Sequence, residues 1–389
     1  VALWERNSSL GKKLAIMGKG RCNITNSCSP SELINNIPNN GMFLYGAFSR
    51  FNSADTIDFF TSLGVKLKTE RGRRVFPVSD QAGEIVKAFA QHLNSLGVKI
   101  LFNKRANKLS VRDGAVDGVY DEKDQLQKAD SVIIATGGKS YPGTGSTGDG
   151  YLLAEQSGHT VTPLYPALVP LCASEDWLDE LCGLSLKNVE VSAYLKEASG
   201  NEKLLGSEFG EMLFTHFGVS GPIILTLSYQ VCRALASGSV ILKINLKPAL
   251  TYEQLDERLL RDFNKFSRKH LANALNELLP KSLIPVIIRK SAIACDKPVN
   301  QITKEERAGL LSLLTAFPVQ ISRPRPLKEA IVTAGGVSVK ELSPKDMSSK
   351  LVKGLFFAGE VIDVDGYTGG YNLQAALSTG YLAGIGAAK

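Results

Sequence analysis

The sequence predicts an α/β protein: one domain of alternating strands and helices, interrupted by an insertion and completed by the C-terminal segment. Three observations carry this. Val132-Ile133-Ile134-Ala135 is a continuous apolar run, as expected of a strand buried on both faces, and Leu355-Phe356-Phe357-Ala358 is a second short buried strand. Before the first run, short strand-like segments alternate with segments whose apolar residues recur at helical spacing. From about Pro166 the texture becomes β-rich and then helical, and the strand-then-helix pattern returns only near the C-terminus.

Taken in order, Val1 to Trp4 reads as a strand that ends at the acidic Glu5. Ala82 to Leu96 has helical periodicity, and Gly97 closes it as a C-terminal cap. Lys99 to Phe102, Val116 to Tyr120 and Ser131 to Thr136 read as strands, with Arg112-Asp113-Gly114 as a hairpin turn between two of them. In the insertion, Val189 to Leu195 and Val240 to Leu246 are strand-like, while Thr251 to Leu279 and Lys304 to Phe317 are helical in spacing. Pro318 to Leu327 is proline-broken and basic and reads as a return linker, and Gly370 to Ala388 reads as a closing helix.

At 389 residues, with 44% hydrophobic and 21% charged residues, the chain has the composition of an ordinary globular protein. No apolar run is long enough to cross a bilayer, and Val1 to Glu5 turns acidic before an apolar stretch develops. No membrane or secretion signal is therefore expected. The six cysteines are scattered without a CxxC pair, which argues against a disulfide frame or a zinc site and fits a reducing cytoplasm. A net charge of +7 favours anionic partners such as phosphates, dinucleotides or nucleic acid. Arg71-Gly72-Arg73-Arg74, Arg289-Lys290 and Arg323-Pro324-Arg325 concentrate part of it.

The residues suited to chemistry lie mainly in glycine-rich turns after strands. Glu5 and Arg6 sit at a strand end, where a dinucleotide-binding fold places the acid that holds a ribose hydroxyl. In Gly18-Lys19-Gly20-Arg21-Cys22-Asn23 the glycines permit close backbone approach, and the Arg21 guanidinium offers a planar donor fork for phosphate or a polar ring edge. Cys22 reads as a small buried residue more than as a redox thiol. Ala135-Thr136-Gly137-Gly138 and the loop to Gly150 follow a buried strand, a setting in which backbone amides face an anion or a cofactor edge. Gly359, Glu360 and Asp363 lead to Gly369-Gly370-Tyr371-Asn372 at a helix start, whose free amides suit a pyrophosphate or an electron-rich ring oxygen. Asp363 could hold a ribityl or ribose hydroxyl. None of the four histidines has metal-site spacing; only His216, in Phe214-Thr215-His216-Phe217-Gly218, lies in a setting that suggests a loop facing a ligand.

These segments together resemble the BaiN/RdsA family of NAD(P)/FAD-dependent oxidoreductases, HI0933-like proteins that include aminoacetone oxidase family FAD-binding enzymes. The resemblance is carried by Leu10-Gly-Lys-Lys-Leu14, Gly20-Arg-Cys-Asn-Ile-Thr-Asn26, Arg74-Val-Phe-Pro-Val78, Ala135-Thr-Gly-Gly138 and the Thr144–Gly150 loop. Pro166-Ala-Leu-Val-Pro-Leu171, Phe214 to Pro222, Thr333-Ala-Gly-Gly-Val337 and Gly359 to Gly384 extend it over nearly the whole chain. It implies a Rossmann-like FAD-binding domain over residues 1–165, completed by residues 319–389. It also implies an inserted β-rich subdomain (166–250) and a helical subdomain (251–318) that roof the flavin. The implied cofactor is FAD, with NAD(P)H as electron donor. A flavin needs no protein nucleophile, so few catalytic side chains are expected.

Two departures stand out. The strand and GxGxxG turn that open proteins of this kind do not occur, so the chain is expected to lack about thirty residues of that unit. Lys19 stands where a third glycine is common. The leading expectation is hydride transfer from NAD(P)H through FAD to an activated C=C bond, of a small molecule or of a pyrimidine base in structured RNA. An oxygen-dependent oxidase of a small amine or amino-ketone, and an inactive fragment, stay open as alternatives.

Overall fold

The structure, a computed structural model, describes every residue except 198 and 199. It forms two compact units: Val1–Ala167 together with Leu327–Lys389, and Leu168–Pro326.

The first unit has the expected α/β character. β1 (Ala2–Glu5) pairs in parallel with β5 (Lys99–Phe102), Leu3 opposite Ile100. The chain between them forms a three-stranded sheet of β2 (Thr25–Asn26), β4 (Arg74–Pro77) and β3 (Leu67–Glu70), all antiparallel. The helix Ala82–Ser95 turns Ala82, Ile85 and Ala88 inward, the spacing its sequence showed, and ends before Gly97 at φ +69°. Its apolar face joins Cys22, Ile24, Phe60 and Val75 in one core cluster.

The turn at Asp113 and Gly114 (φ 48° and 73°) does make a hairpin. Its first strand, however, is β6 (Ala106–Arg112), which the sequence pattern had not marked, paired with β7 (Ala115–Asp121); β8 (Leu126–Lys128) completes that sheet. β9 (Val132–Ile134) runs parallel to β18 (Leu355–Phe357), and β10 (Tyr165–Ala167) antiparallel to β17 (Val332–Ala334). β9 is not buried on both faces: Ile134 is buried, while Ile133, pointing to the opposite face, is 39% exposed. The closing helix, Tyr371–Ala387, packs Ala375, Leu382 and Ala383 into the larger core with Leu355, Phe357, Val361, Phe48 and Leu44.

The second unit is built on a closed barrel with strand order β11-β14-β13-β12-β15-β16. The strands are β11 (Leu171–Ala173), β12 (Ser185–Lys196), β13 (Glu202–Thr215), β14 (Gly218–Ser220), β15 (Ser239–Asn245) and β16 (Phe317–Pro324). Alternate residues of β12 (Val189, Val191, Ala193) and of β15 (Val240, Leu242, Ile244) point inward, and closure leaves no open edge. Trp177 is buried edge-on against Phe214 and Phe317, with centroids 5.8 and 5.2 Å away.

Three readings of this region need correction. Pro318–Leu327 is not a linker: through Pro324 it is β16, which pairs with β15 and β11 and closes the barrel. The helical stretch expected over Thr251–Leu279 is split, with a helix Tyr252–Lys265 that stops before the polar run Ser267–His270 and a short turn of helix at Leu271–Ala274. The helix Lys304–Thr315 ends before Phe317, which belongs to β16.

Candidate flavin site

The loop from β18 to the closing helix is shaped by its own side chains. Asn372 accepts a hydrogen bond at Oδ1 from Gly366 N (2.8 Å) and donates from Nδ2 to Gly366 O (2.7 Å) and Tyr367 O (3.2 Å). Gly370, at φ +101°, precedes the first turn of the helix, and no side chain caps it. The first-turn amides and the positive dipole end of a 17-residue helix are thus left to an outside acceptor. A Cβ on Gly370 would lie 2.4 Å from the carbonyl carbon of Thr25, so only glycine lets the helix start against β2.

Buried polar groups fix that contact. Gln374, fully buried, accepts from Thr25 Oγ1 (2.5 Å) and Thr56 Oγ1 (2.9 Å) and donates to Phe51 O (3.3 Å) and Ser378 Oγ (3.0 Å). Asn26 Nδ2 donates to both Gly72 O (2.9 Å) and Gly369 O (3.2 Å), which sets the orientation of its amide. Asn26 Oδ1 and Asn23 Oδ1 are then buried acceptors without a partner among the described residues. Unmade hydrogen bonds of this kind are costly, so a missing donor is the natural reading.

The second part of the site is the glycine turn after β9. Lys139 N and Ser140 N donate to Thr333 Oγ1 at 2.8 and 3.1 Å. A Cβ on Gly138 would lie 2.5 Å from that hydroxyl and 2.8 Å from Glu360 Oε1, so this glycine is required by packing. Glu360 Oε1 accepts from Thr333 N (2.9 Å) and Ser140 Oγ (3.2 Å), and Lys13 Nζ donates to Oε2. With both oxygens engaged, the Glu360 carboxylate rivets four segments together. Ala135 and Thr136 are exposed and Gly137 half-buried, so the front of the turn is open.

The third part gathers at the end of β1. Glu5 Oε1 accepts from Asn7 N (2.7 Å) and Asn7 Nδ2 (2.8 Å), and Asn7 Nδ2 also reaches Thr144 O at 3.0 Å. Arg6 Nη1 donates to Asp149 Oδ2 (2.8 Å) and to Thr147 Oγ1, while Arg105 grips both Asp149 oxygens at 2.8 and 2.9 Å. Burial works to raise the Asp149 pKa, but the hydrogen bonds from Arg105 and Thr147 and the charges of Arg6 and Arg105 outweigh it and hold the carboxyl below its ordinary value. Arg6 is thus tied to the glycine loop and holds it beside Glu5.

Arg21 is committed to Glu70 and Asp80 and stacks over Phe76 at 4.2 Å, so it buttresses the turn at Gly20. Cys22 is fully buried, and burial pushes its thiol up to about 12. Asp363 is half-buried and accepts at Oδ1 from Asn39 Nδ2 at 2.6 Å. Tyr371 is half-buried, its ring against Gly369. His216 belongs to the second unit, exposed in the β13–β14 turn with its ring edge on Phe217 at 5.0 Å. Sequence reasoning did not single out Arg105, Ser140 or Gln374, and it quoted Lys13, Asn26 and Thr333 only as parts of motifs. Among the described residues no group of three or more His, Cys, Asp or Glu could hold a metal. All six cysteines are free, and among the described residues no helix is long and apolar enough to cross a membrane.

By fold and family this is a Rossmann-type flavoprotein of the oxidoreductase class. More particularly, the chain belongs to the HI0933-like family: the HI0933-like protein Rossmann domain matches residues 1–386. It is 31% identical over 390 residues to a 3-dehydro-bile acid delta(4,6)-reductase of Clostridium scindens, covering all of this chain and 93% of that protein. It is 32% identical over 383 residues to a ribosomal RNA dihydrouridine synthase of Escherichia coli, covering 98% of this chain and 90% of that one. Among solved structures, a 3-ketosteroid delta1-dehydrogenase from Sterolibacterium denitrificans superposes with a TM-score of 0.48 at 11% identity, over 100% of this chain and 95% of that one.

Proposed function

We propose that this chain is a cytoplasmic, FAD-dependent reductase that takes hydride from NAD(P)H and delivers it to an activated C=C bond of a small molecule or of a pyrimidine base. One observation carries the cofactor assignment: an uncapped helix end, rich in donors, beside Asn26 Oδ1, a buried acceptor without a partner among the described residues. The pyrimidine edge of a flavin, with an N–H between two carbonyl oxygens, supplies both complements. FAD, when bound, provides a ring that accepts hydride and passes it on.

The chain's own residues bind and orient. The first-turn amides of the closing helix would hold an electron-rich ring oxygen. Asn26 Oδ1, its amide fixed by Gly72 and Gly369, would accept from the ring N–H. Glu5 and Asp363 would hold ribose and ribityl hydroxyls, and Gly137 presents open backbone at the turn that Glu360 and Lys13 fasten from behind. His216, exposed in the second unit, is the candidate catalytic side chain there. The names of the relatives support the reductive direction. One is a reductase, and the other makes dihydrouridine, which is uridine with two hydrogens added.

The test is the visible spectrum of the purified protein with added FAD, followed by NADPH or NADH under nitrogen. Flavin bands that bleach with reduced nicotinamide are expected. Bound flavin that ignores both donors yet cycles with an amine and oxygen would replace the reductase with an oxidase. Failure to bind flavin would end the assignment.

A further inference from the structure

The hairpin of β3 and β4 carries charge that the fold leaves uncompensated. Its tip, Arg71-Gly72-Arg73, reverses the chain with Gly72 at φ +75° and Arg73 at φ +59°. The carboxylates nearby are already engaged. Glu70 and Asp80 pair with Arg21 and Lys68, and Glu32 pairs with Arg73 at 2.7 Å. The guanidinium groups of Arg71 and Arg74, both exposed, have no carboxylate partner among the described residues. Arg74 is also pre-oriented: its Nε donates to Arg71 O at 3.1 Å and its guanidinium lies 5.8 Å from the Phe76 ring centre, leaving the terminal nitrogens for a ligand. This tip is joined to the cofactor site by a single side chain, because the Asn26 amide donates both to Gly72 O and to Gly369 O at the foot of the closing helix.

We propose that Arg71 and Arg74 form a phosphate-binding tip at the rim of the cofactor site, gripping a phosphate of the molecule that approaches the flavin. Two uncompensated guanidinium forks match the charge and geometry of a phosphate better than those of a single carboxylate. The same chemistry serves the 2′-phosphate of NADPH or a phosphodiester of an RNA substrate. The inference rests on the reading of this region as the flavin site.

The experiment uses the FAD-loaded protein and two probes, 2′,5′-ADP and a fluorescein-labelled single-stranded RNA dodecamer, titrated by calorimetry and by anisotropy from 50 to 300 mM KCl. The Arg71→Ala/Arg74→Ala variant is compared with the parent and with Lys203→Ala/Lys281→Ala, which removes the same charge from exposed positions of the second unit. At 100 mM KCl the arginine variant should lose at least tenfold in affinity for one probe and keep its flavin absorbance. If that probe is RNA, its log–log salt slope should also become shallower by about 1.4, the value for two single-strand phosphate contacts. Loss confined to 2′,5′-ADP assigns the tip to the dinucleotide, and loss confined to RNA assigns it to the nucleic acid. The proposal is overturned if neither probe binds the parent, if both bind the arginine variant within twofold of it, or if the lysine variant loses as much. Flavin content is read separately, so a parent without FAD would refute the cofactor reading while the phosphate titration still tests the tip.

Discussion

Replacing Gln374 by leucine tests whether the closing helix is placed by its buried amide. The substitution removes an acceptor used by Thr25 and Thr56 and a donor used by Phe51 O and Ser378. The groups left behind are unequal. Ser378 Oγ keeps Phe51 O at 2.6 Å and Gln374 O at 2.8 Å, and Thr25 keeps Ser53 Oγ at 3.2 Å. Thr56 Oγ1, fully buried, keeps no partner among the described residues. One stranded hydroxyl costs about 1–3 kcal/mol, and two weakened bonds add about 1 kcal/mol. The apolar leucine returns about 1 kcal/mol, so the net is about 2 kcal/mol.

Because the chain has two compact units, a single global unfolding energy is ill-defined, and local hydrogen exchange of closing-helix amides is the better assay. Exchange in Tyr371–Ala387 should accelerate by about thirtyfold, from 1.4 kcal/mol per tenfold, and FAD affinity should fall with it. Adding Thr56→Val removes the stranded hydroxyl, so the double variant should recover about 1–2 kcal/mol relative to the sum of the single changes. Exchange unchanged within threefold in Gln374→Leu, or strict additivity in the double variant, would refute the reasoning.

Lys19→Gly should raise the melting midpoint of the first unit by about 1–2 °C, because Lys19 sits at φ +60°, where a side chain costs about 1–2 kcal/mol and glycine's extra unfolded-state freedom offsets only part of the relief. Asp149→Asn should flatten the acid limb of stability. The folded-state pKa of Asp149 is depressed, so its contribution is complete above the ordinary carboxylate pKa of about 3.9 and is lost as pH falls through the lower folded value. Melting curves between about pH 3 and 6 should therefore start lower in the variant and fall less steeply than in the parent. With a thiol reagent at about pH 8, exposed Cys182 and Cys295 should react first, while Cys22 and Cys232, pushed up to about 12 by burial, stay unmodified until the protein unfolds. Fast labelling of Cys22 in the native protein would contradict its packing.

What the sequence made legible was whatever a local pattern encodes. The apolar runs of β9 and β18, the spacing in Ala82–Ser95 and the closing helix after Gly370 were all readable, because each answers to a period or a cap within its own segment. β16 was missed because Pro318 and Pro324 look like breakers, and only the partners on either side, β15 and β11, give that segment a ladder to join. The glycine-rich motifs marked the right places but not the right causes. Gly138 and Gly370 are glycines because Thr333, Glu360 and Thr25 press against them, and Glu360 resembles a ligand-binding acid while holding its own fold together. Gln374 had no signal at all. Its partners Thr25 and Thr56 lie more than 300 positions away, and a glutamine in a helix is ordinary until the fold buries it. The site is therefore assembled by a polar network that exists only after the C-terminal segment has returned to β2. Mutations in that network should loosen the cofactor before they unfold either unit.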